Sequence, residues 1–303
     1  MRFEYYIVVL VVLLFSACNE KKKDLRETDY TNVKKFTDGQ STQYREYNTG
    51  EFVGRHKKGD GFPGYLADSM IIRYTGRVLD SDKTIFITND KDIAEANNLT
   101  YEDSQLQDKL ILPANIDMIK GLKNGLPRLY EGDSASIAIP FTYAYGESGT
   151  GLVPPYTAVI FDVEVIKTSG PKITAEKNII SNYLKSHPEL KTKVTELVYK
   201  NIVKDGTGTA IKAADTVKFD YKITTLDNTI VLEAKNDSIY VDNLSFDQIY
   251  AFDLIINGAK KGDSIDFIAP SFLNVRSDRT IYEDYIPLIY HIKINEVRTK
   301  KSS

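Results

Sequence analysis

SMIIRYTGRVLDSDKTIF, residues 69–86, has a counterpart in TVKFDYKITTLDNTIV, residues 216–231, and this pairing decides how the 303-residue chain divides. Two further blocks recur in the same order: EGDSASIAIPF (131–141) against KGDSIDFIAPSF (261–272), and PYTAVIFDVEVIK (155–167) against IPLIYHIKINEV (286–297). An ordered recurrence marks a duplicated structural unit. The offset is 147 residues at the first block (Tyr74 to Tyr221) and 130 at the second (Gly132 to Gly262), so the first copy carries about seventeen extra residues. They fall within TNDKDIAEANNLTYEDSQLQ (88–107), a polar insertion that reads as a flap or a short extra helix.

Within each copy apolar and polar residues alternate, as over Ser134–Pro140 and Ala158–Lys167, which predicts half-buried antiparallel strands. One short helix per copy is predicted, over Ile116–Leu126 and Phe246–Ile256, and a further helix over Ala175–Ser186 leads the second copy. Thr168-Ser169-Gly170-Pro171 reads as the join. The expected fold class is α+β: two units, 44–168 and 169–303, each an antiparallel sheet wrapped on a short helix.

Composition narrows the chemistry. Apolar residues make up 42 % of the chain and charged residues 27 %, enough for two cores. Thirty-nine Lys and Arg against 42 Asp and Glu leave a net charge of −3, without the basic footprint of a nucleic-acid binder, so no nucleic-acid partner is expected. A single Cys excludes a disulfide framework and a Cys-rich zinc site, and the three His (His56, His187, His291) are too scattered to predict a metal centre. With 20 Tyr, 13 Phe and no Trp, any aromatic pocket must be built from Tyr and Phe.

Tyr5–Phe15 is an unbroken apolar run of eleven residues, shorter than the roughly 20 that a membrane span needs but suited to a signal-peptide core. Leu14-Phe15-Ser16-Ala17-Cys18 resembles the lipobox of bacterial lipoproteins, which implies a leader over 1–17 and a lipid-anchored Cys18. The charged stretch that follows, within 18–43, reads as a solvated tether. Asn19 after the Cys implies an envelope location at the outer membrane, facing the periplasm.

The motifs of the first copy are Tyr74-Thr75-Gly76, Met118-Ile119-Lys120-Gly121-Leu122, Glu131-Gly132-Asp133, Tyr143-Ala144-Tyr145-Gly146, Val153-Pro154-Pro155 and Phe161-Asp162-Val163-Glu164. In this order they resemble the FKBP-type peptidyl-prolyl cis-trans isomerases over roughly 44–168. The resemblance implies a shallow proline pocket lined by Tyr74, Phe86, Met118, Ile119, Leu122, Tyr145, Val153 and Phe161. It further implies hydrogen-bond donation to substrate carbonyls by the Ile119 N–H and the Tyr145 hydroxyl. No cofactor or metal is implied. The implied partners are proline-containing unfolded or exported polypeptides.

The first copy departs from the family pattern in three ways. Ile87 rather than Asp follows Phe86, Leu122 stands where the family usually has Trp, and the 147–151 loop is short, so lowered activity is an expectation. The second copy retains aromatics at Tyr221, Phe252 and Tyr290, matching Tyr74, Leu122 and Phe161. It replaces Tyr-Ala-Tyr-Gly by Phe272-Leu273-Asn274-Val275 and reads as non-catalytic. Two functions compete: a folding isomerase for exported proteins, and a non-catalytic chaperone or scaffold docked on an outer-membrane assembly.

Overall fold

A break between Gly170 and Pro171 separates two units, each built around its own antiparallel sheet. The computed structural model describes residues 24–79, 83–100, 109–111, 118–241, 250–276, 279–280 and 286–299. The leader, Cys18 and the start of the tether lie outside them.

In the first unit a helix over 24–38 (α1) precedes strands β1 (Tyr44–Glu46), β2 (Phe52–Lys57), β3 (Ser69–Val78) and β4 (Ile85–Thr88). Helix α2 (Lys91–Ala96), strand β5 (Lys109–Ile111), helix α3 (Lys120–Gly125) and strands β6 (Ser134–Ile139) and β7 (Val159–Ser169) complete it. The second unit runs α4 (Pro171–Ser186), β8 (Thr192–Lys193), β9 (Tyr199–Lys204), β10 (Thr216–Thr224), β11 (Ile230–Tyr240) and α5 (Tyr250–Ile256). It continues with β12 (Ser264–Ala269), the small pair β13 (Val275–Arg276) and β14 (Arg279–Thr280), and β15 (Leu288–Arg298).

The two sheets have one topology. Their orders are β1-β2-β6-β7-β3-β4, with β5 added on β3, and β8-β9-β12-β15-β10-β11. The repeated turn motif has a structural reason in both. Asp133 accepts the N–H groups of Tyr130 at 2.8 Å and Gly59 at 2.7 Å, and Asp263 accepts those of Lys260 at 2.7 Å and Gly206 at 2.5 Å. Each buried carboxylate thus satisfies backbone donors that a turn next to a strand would otherwise leave unpaired.

Three local expectations change. The solvated tether is helical over 24–38, because its few apolar groups fall on one helical face. Asp29, Val33 and Thr37, four residues apart, are buried, and Val33 packs with Phe52, Ala138, Ala158 and Ile160. The helix of the first copy begins at Lys120, so Met118 and Ile119 lie ahead of it; residues 112–117 lie outside the described part. The join is a single glycine: β7 continues to Ser169, whose carbonyl accepts the Asp68 N–H at 2.9 Å, and α4 starts at Pro171, a residue suited to the first helical position. In the insertion, α2 is capped by Asp90, whose carboxylate accepts the Ile93 N–H at 3.1 Å.

Candidate active site

Four of the eight residues expected in a pocket meet as one aromatic group. Phe86 from β4 makes edge contacts with Phe161 of β7 at 5.7 Å between ring centroids and with Tyr145 at 5.6 Å. Tyr74 of β3 lies 6.3 Å from Phe161. Gly76, two residues after Tyr74 and opposite Phe161 in the β3–β7 register, makes room for them. A Cβ there would lie 2.6 Å from Ile87 and 2.9 Å from both the Phe86 and Phe161 rings. Phe161 is buried, whereas Tyr74, Phe86 and Tyr145 are half-exposed, so the group is a wall that a ligand can reach.

The aliphatic residues come from two other places. Met118 and Ile119 precede α3 and Leu122 sits on it, all half-buried. The helix lies close on β6 through its glycines: a Cβ on Gly121 would meet Ile139 at 2.3 Å and one on Gly125 would meet Ile137 at 2.9 Å. Ile119 caps α3, its carbonyl accepting the N–H groups of Leu122 and Lys123 at 3.1 Å, while its own N–H has no acceptor among the described residues. Val153, fully buried, closes a turn by exchanging two hydrogen bonds with Thr150, at 2.9 and 2.7 Å.

Tyr145 rides on the loop that follows β6. Pro140 ends the strand and opens a 3-10 turn over Phe141–Tyr143, whose Phe141 carbonyl accepts the N–H groups of Ala144 at 3.0 Å and Gly146 at 2.9 Å. Burial and the neighbouring Tyr74 push the Tyr145 phenol up to about 12. The hydroxyl is therefore protonated at neutral pH, and it has no hydrogen-bond partner among the described residues. It is an available donor beside an aromatic wall.

The second unit fills the same space. Ile223, opposite Tyr290 in the β10–β15 register, stands where the first unit has Gly76 opposite Phe161. Phe252 of α5 packs on Tyr221 and Phe219 at 5.0 Å and on Tyr290 at 5.6 Å, and all four rings are buried. The Tyr290 hydroxyl donates to the buried Asn274 at 2.5 Å. The turn Ser271–Leu273 corresponds to Phe141–Tyr143, so the residues matching Tyr143–Gly146 are Leu273-Asn274-Val275-Arg276, one place later than the sequence reading set them.

Among the described residues the other polar groups do not make a reaction centre. His56 contacts the Ser136 hydroxyl at 2.6 Å, but Ser136 is buried, donates to Asp162, and the other ring nitrogen of His56 faces Thr42 at 2.9 Å rather than a carboxylate. A hydrolytic triad needs the opposite order, with the carboxylate on the histidine. Among the described residues no cluster of His, Cys, Asp and Glu has metal-binding geometry. A groove of about 710 Å³ between α1, the 46–50 turn and Pro140–Tyr143 lies outside the aromatic wall. Sequence reading missed Gly76 as a packing residue, and the only signal was its place in the Tyr-Thr-Gly motif.

Comparison with known proteins bears on this segment. A family profile described as FKBP-type peptidyl-prolyl cis-trans isomerase matches residues 66–166. FK506-binding protein 1 of Candida glabrata is 47 % identical over 53 residues, covering 17 % of this chain and 46 % of that protein. The macrophage infectivity potentiator of Trypanosoma cruzi is 33 % identical over 115 residues, 37 % of this chain and 50 % of its own length. The crystal structure of the three FKBP domains of wheat FKBP73 aligns with a TM-score of 0.33 at 15 % identity, over 86 % of this chain and 100 % of that one. The chain spans about half the length of the curated relatives it matches. The eight candidate site residues all lie inside the matched segment: over residues 66–166 the chain is similar to the FKBP-type peptidyl-prolyl cis-trans isomerases.

Proposed function

We propose that the first unit accelerates cis–trans isomerisation of X–Pro bonds in unfolded polypeptides, and that the second unit is non-catalytic. The observation that carries this reading is the protonated Tyr145 hydroxyl, without a partner among the described residues, at the edge of the wall formed by Phe86, Phe161 and Tyr74. Rotation about a peptide bond faces about 18–20 kcal/mol because planarity preserves amide resonance. The planar amide is the more charge-separated form, so an apolar wall favours the twisted one, and no nucleophile or base is required. Tyr145 and the Ile119 N–H act as donors to the carbonyls that flank the proline, holding the backbone near the twisted geometry. Leu122 in place of a larger aromatic removes a flat ring on which the proline would rest, which supports reduced activity.

The wider setting belongs to the same proposal. The lipobox-like segment ending in Cys18 supports an envelope lipoprotein, with the folded units presented to exported chains whose slow X–Pro steps limit folding. No helix among the described residues is long and apolar enough to cross a membrane.

The test is acceleration of cis–trans exchange in a short X–Pro peptide by the full chain. Wild type should accelerate it and Phe161→Ala should remove most of the effect. A wild-type protein without acceleration would leave the scaffold reading in its place. Cys18→Ser should move the protein from the membrane to the soluble fraction; continued membrane association would rule out the lipid anchor.

A further inference from the structure

The loop that carries Tyr145 is held from a part of the chain outside the matched segment 66–166. Asp29 of α1 is 7 % exposed, and its Oδ2 accepts the Phe141 N–H at 2.8 Å. The Ala158 N–H also donates to its carboxylate. Phe141 in turn accepts the Ala144 and Gly146 N–H groups on its carbonyl, at 3.0 and 2.9 Å. These are the two amides on either side of Tyr145. The Phe141 ring is buried against Tyr156, with centroids 5.3 Å apart, and the Tyr156 N–H donates to the Gly146 carbonyl at 3.1 Å, which closes the circuit.

The same strut recurs in the second unit. Glu176 of α4 accepts the Ser271 N–H and, at 2.9 Å, the Ser271 hydroxyl. Ser271, like Phe141, follows a proline that ends a strand and opens a 3-10 turn. Asp29, Val33 and Phe36 stand at the sequence offset of 147 from Glu176, Ile180 and Tyr183, and Val33 and Ile180 are both buried. The struts span 112 and 95 residues, a difference of seventeen, the same as between the repeat offsets. The leading helix is therefore part of the duplicated unit, and its buried carboxylate holds the turn after the proline.

We propose that Asp29 is a positioning residue for Tyr145, acting through Phe141 to set where the hydroxyl meets the substrate carbonyl. This rests on the isomerase reading. Burial raises the Asp29 carboxyl to about 6, so the carboxylate sits where its ionised form is disfavoured, and among the described residues backbone N–H groups receive it. The carboxylate thereby ties the start of the loop that carries Tyr145 to Ala158, the residue just ahead of β7.

The experiment measures kcat/KM of the full chain on an X–Pro peptide for Asp29→Ala, Asp29→Asn, Tyr145→Phe and each double variant with Tyr145→Phe. Asp29→Ala should lower kcat/KM about tenfold, the loss of a charge-assisted hydrogen bond's worth of alignment. Asp29→Asn, which keeps one acceptor oxygen, should recover most of that loss. In the Tyr145→Phe background both Asp29 changes should alter the rate less than about twofold, because there is no hydroxyl left to misplace. Exchange protection of the Phe141 and Gly146 amides should fall in Asp29→Ala while amides of β10 are unaffected. Glu176→Ala should leave kcat/KM unchanged. Effects of Asp29 and Tyr145 changes that multiply, or an unchanged rate in Asp29→Ala, would overturn the proposal; if Asp29→Ala does not fold, the Asp29→Asn cycle decides by the same criterion. A wild type without activity removes the isomerase reading itself, and the exchange data then report only the strut.

Discussion

Gly76 faces Phe161 across β3 and β7, and the corresponding pair across β10 and β15 is Ile223 and Tyr290. One side chain at this position separates an open aromatic wall from a filled core. In the first unit the missing Cβ lets Phe86 and Phe161 meet edge to face and leaves Tyr145 at the surface. In the second, Ile223 is fully buried and Tyr290 is sealed with its hydroxyl on Asn274.

Gly76→Val should therefore close the first site. The added atoms meet Ile87, Phe86 and Phe161 at less than normal contact distance, so destabilisation of about 1–3 kcal/mol is expected. X–Pro acceleration should fall at least about tenfold. Urea unfolding and peptide kinetics on the same sample check both, and a variant with full activity would show that the wall is not the site. Conversely, Ile223→Ala should cost about 2–5 kcal/mol through the cavity it leaves, with no gain of activity.

Tyr145→Phe removes the donor and keeps the ring. The rate should drop about three- to tenfold, the worth of one net hydrogen bond. Because the phenol is pushed up to about 12, wild-type activity should stay flat between about pH 7.5, above the range in which Asp29 titrates, and about 9.5, where an ordinary tyrosine of pKa about 10 would begin to ionise. A fall in rate around pH 8 would contradict that protonation state.

Glu176 ties pH to the stability of the second unit. Burial raises its carboxyl to about 7 from an ordinary 4.5. The folded state thus binds the proton more tightly than the unfolded chain. The stabilisation is complete below about pH 4.5 and is lost as pH rises through about 7. Relative to Glu176→Gln, wild type should lose about 2–3 kcal/mol between pH 5 and pH 8. Parallel pH profiles of the two proteins in urea unfolding would refute the assignment.

Arg128 meets the fully buried Glu51 at 2.8 Å and lies over the Tyr47 ring at 3.7 Å. Arg128→Ala strands a buried carboxylate and should cost about 3–5 kcal/mol. Pairing it with Glu51→Gln should restore much of the loss, since the uncompensated charge is gone. Equal instability of the single and double variants would show that Arg128 acts by packing alone.

Much of the fold was legible because it is periodic and repeated. Alternation over Ser134–Pro140 and Ala158–Lys167 reports strands with one buried face, and the ordered blocks report a duplication without any coordinates. Tyr74, Tyr145 and Phe161 were legible through the motifs they sit in, and Phe86 through its place in the stretch after the first core strand. Helix α1 was not, because its apolar residues are just Leu25, Tyr30, Val33 and Phe36 among polar and charged neighbours, below what periodicity resolves in a short window. Asp29 was invisible for the same reason: in sequence it is one carboxylate in a charged stretch.

The amino-acid sequence alone determined the duplication, the strand pattern and the family likeness of 66–166, since these rest on local periodicity and on motifs read in order. Tertiary structure alone decided which copy keeps an open wall and what holds its loop. Those depend on pairs 85 residues apart in sequence (Gly76 and Phe161) and 112 apart (Asp29 and Phe141), and it is cross-strand register and burial that bring such pairs together.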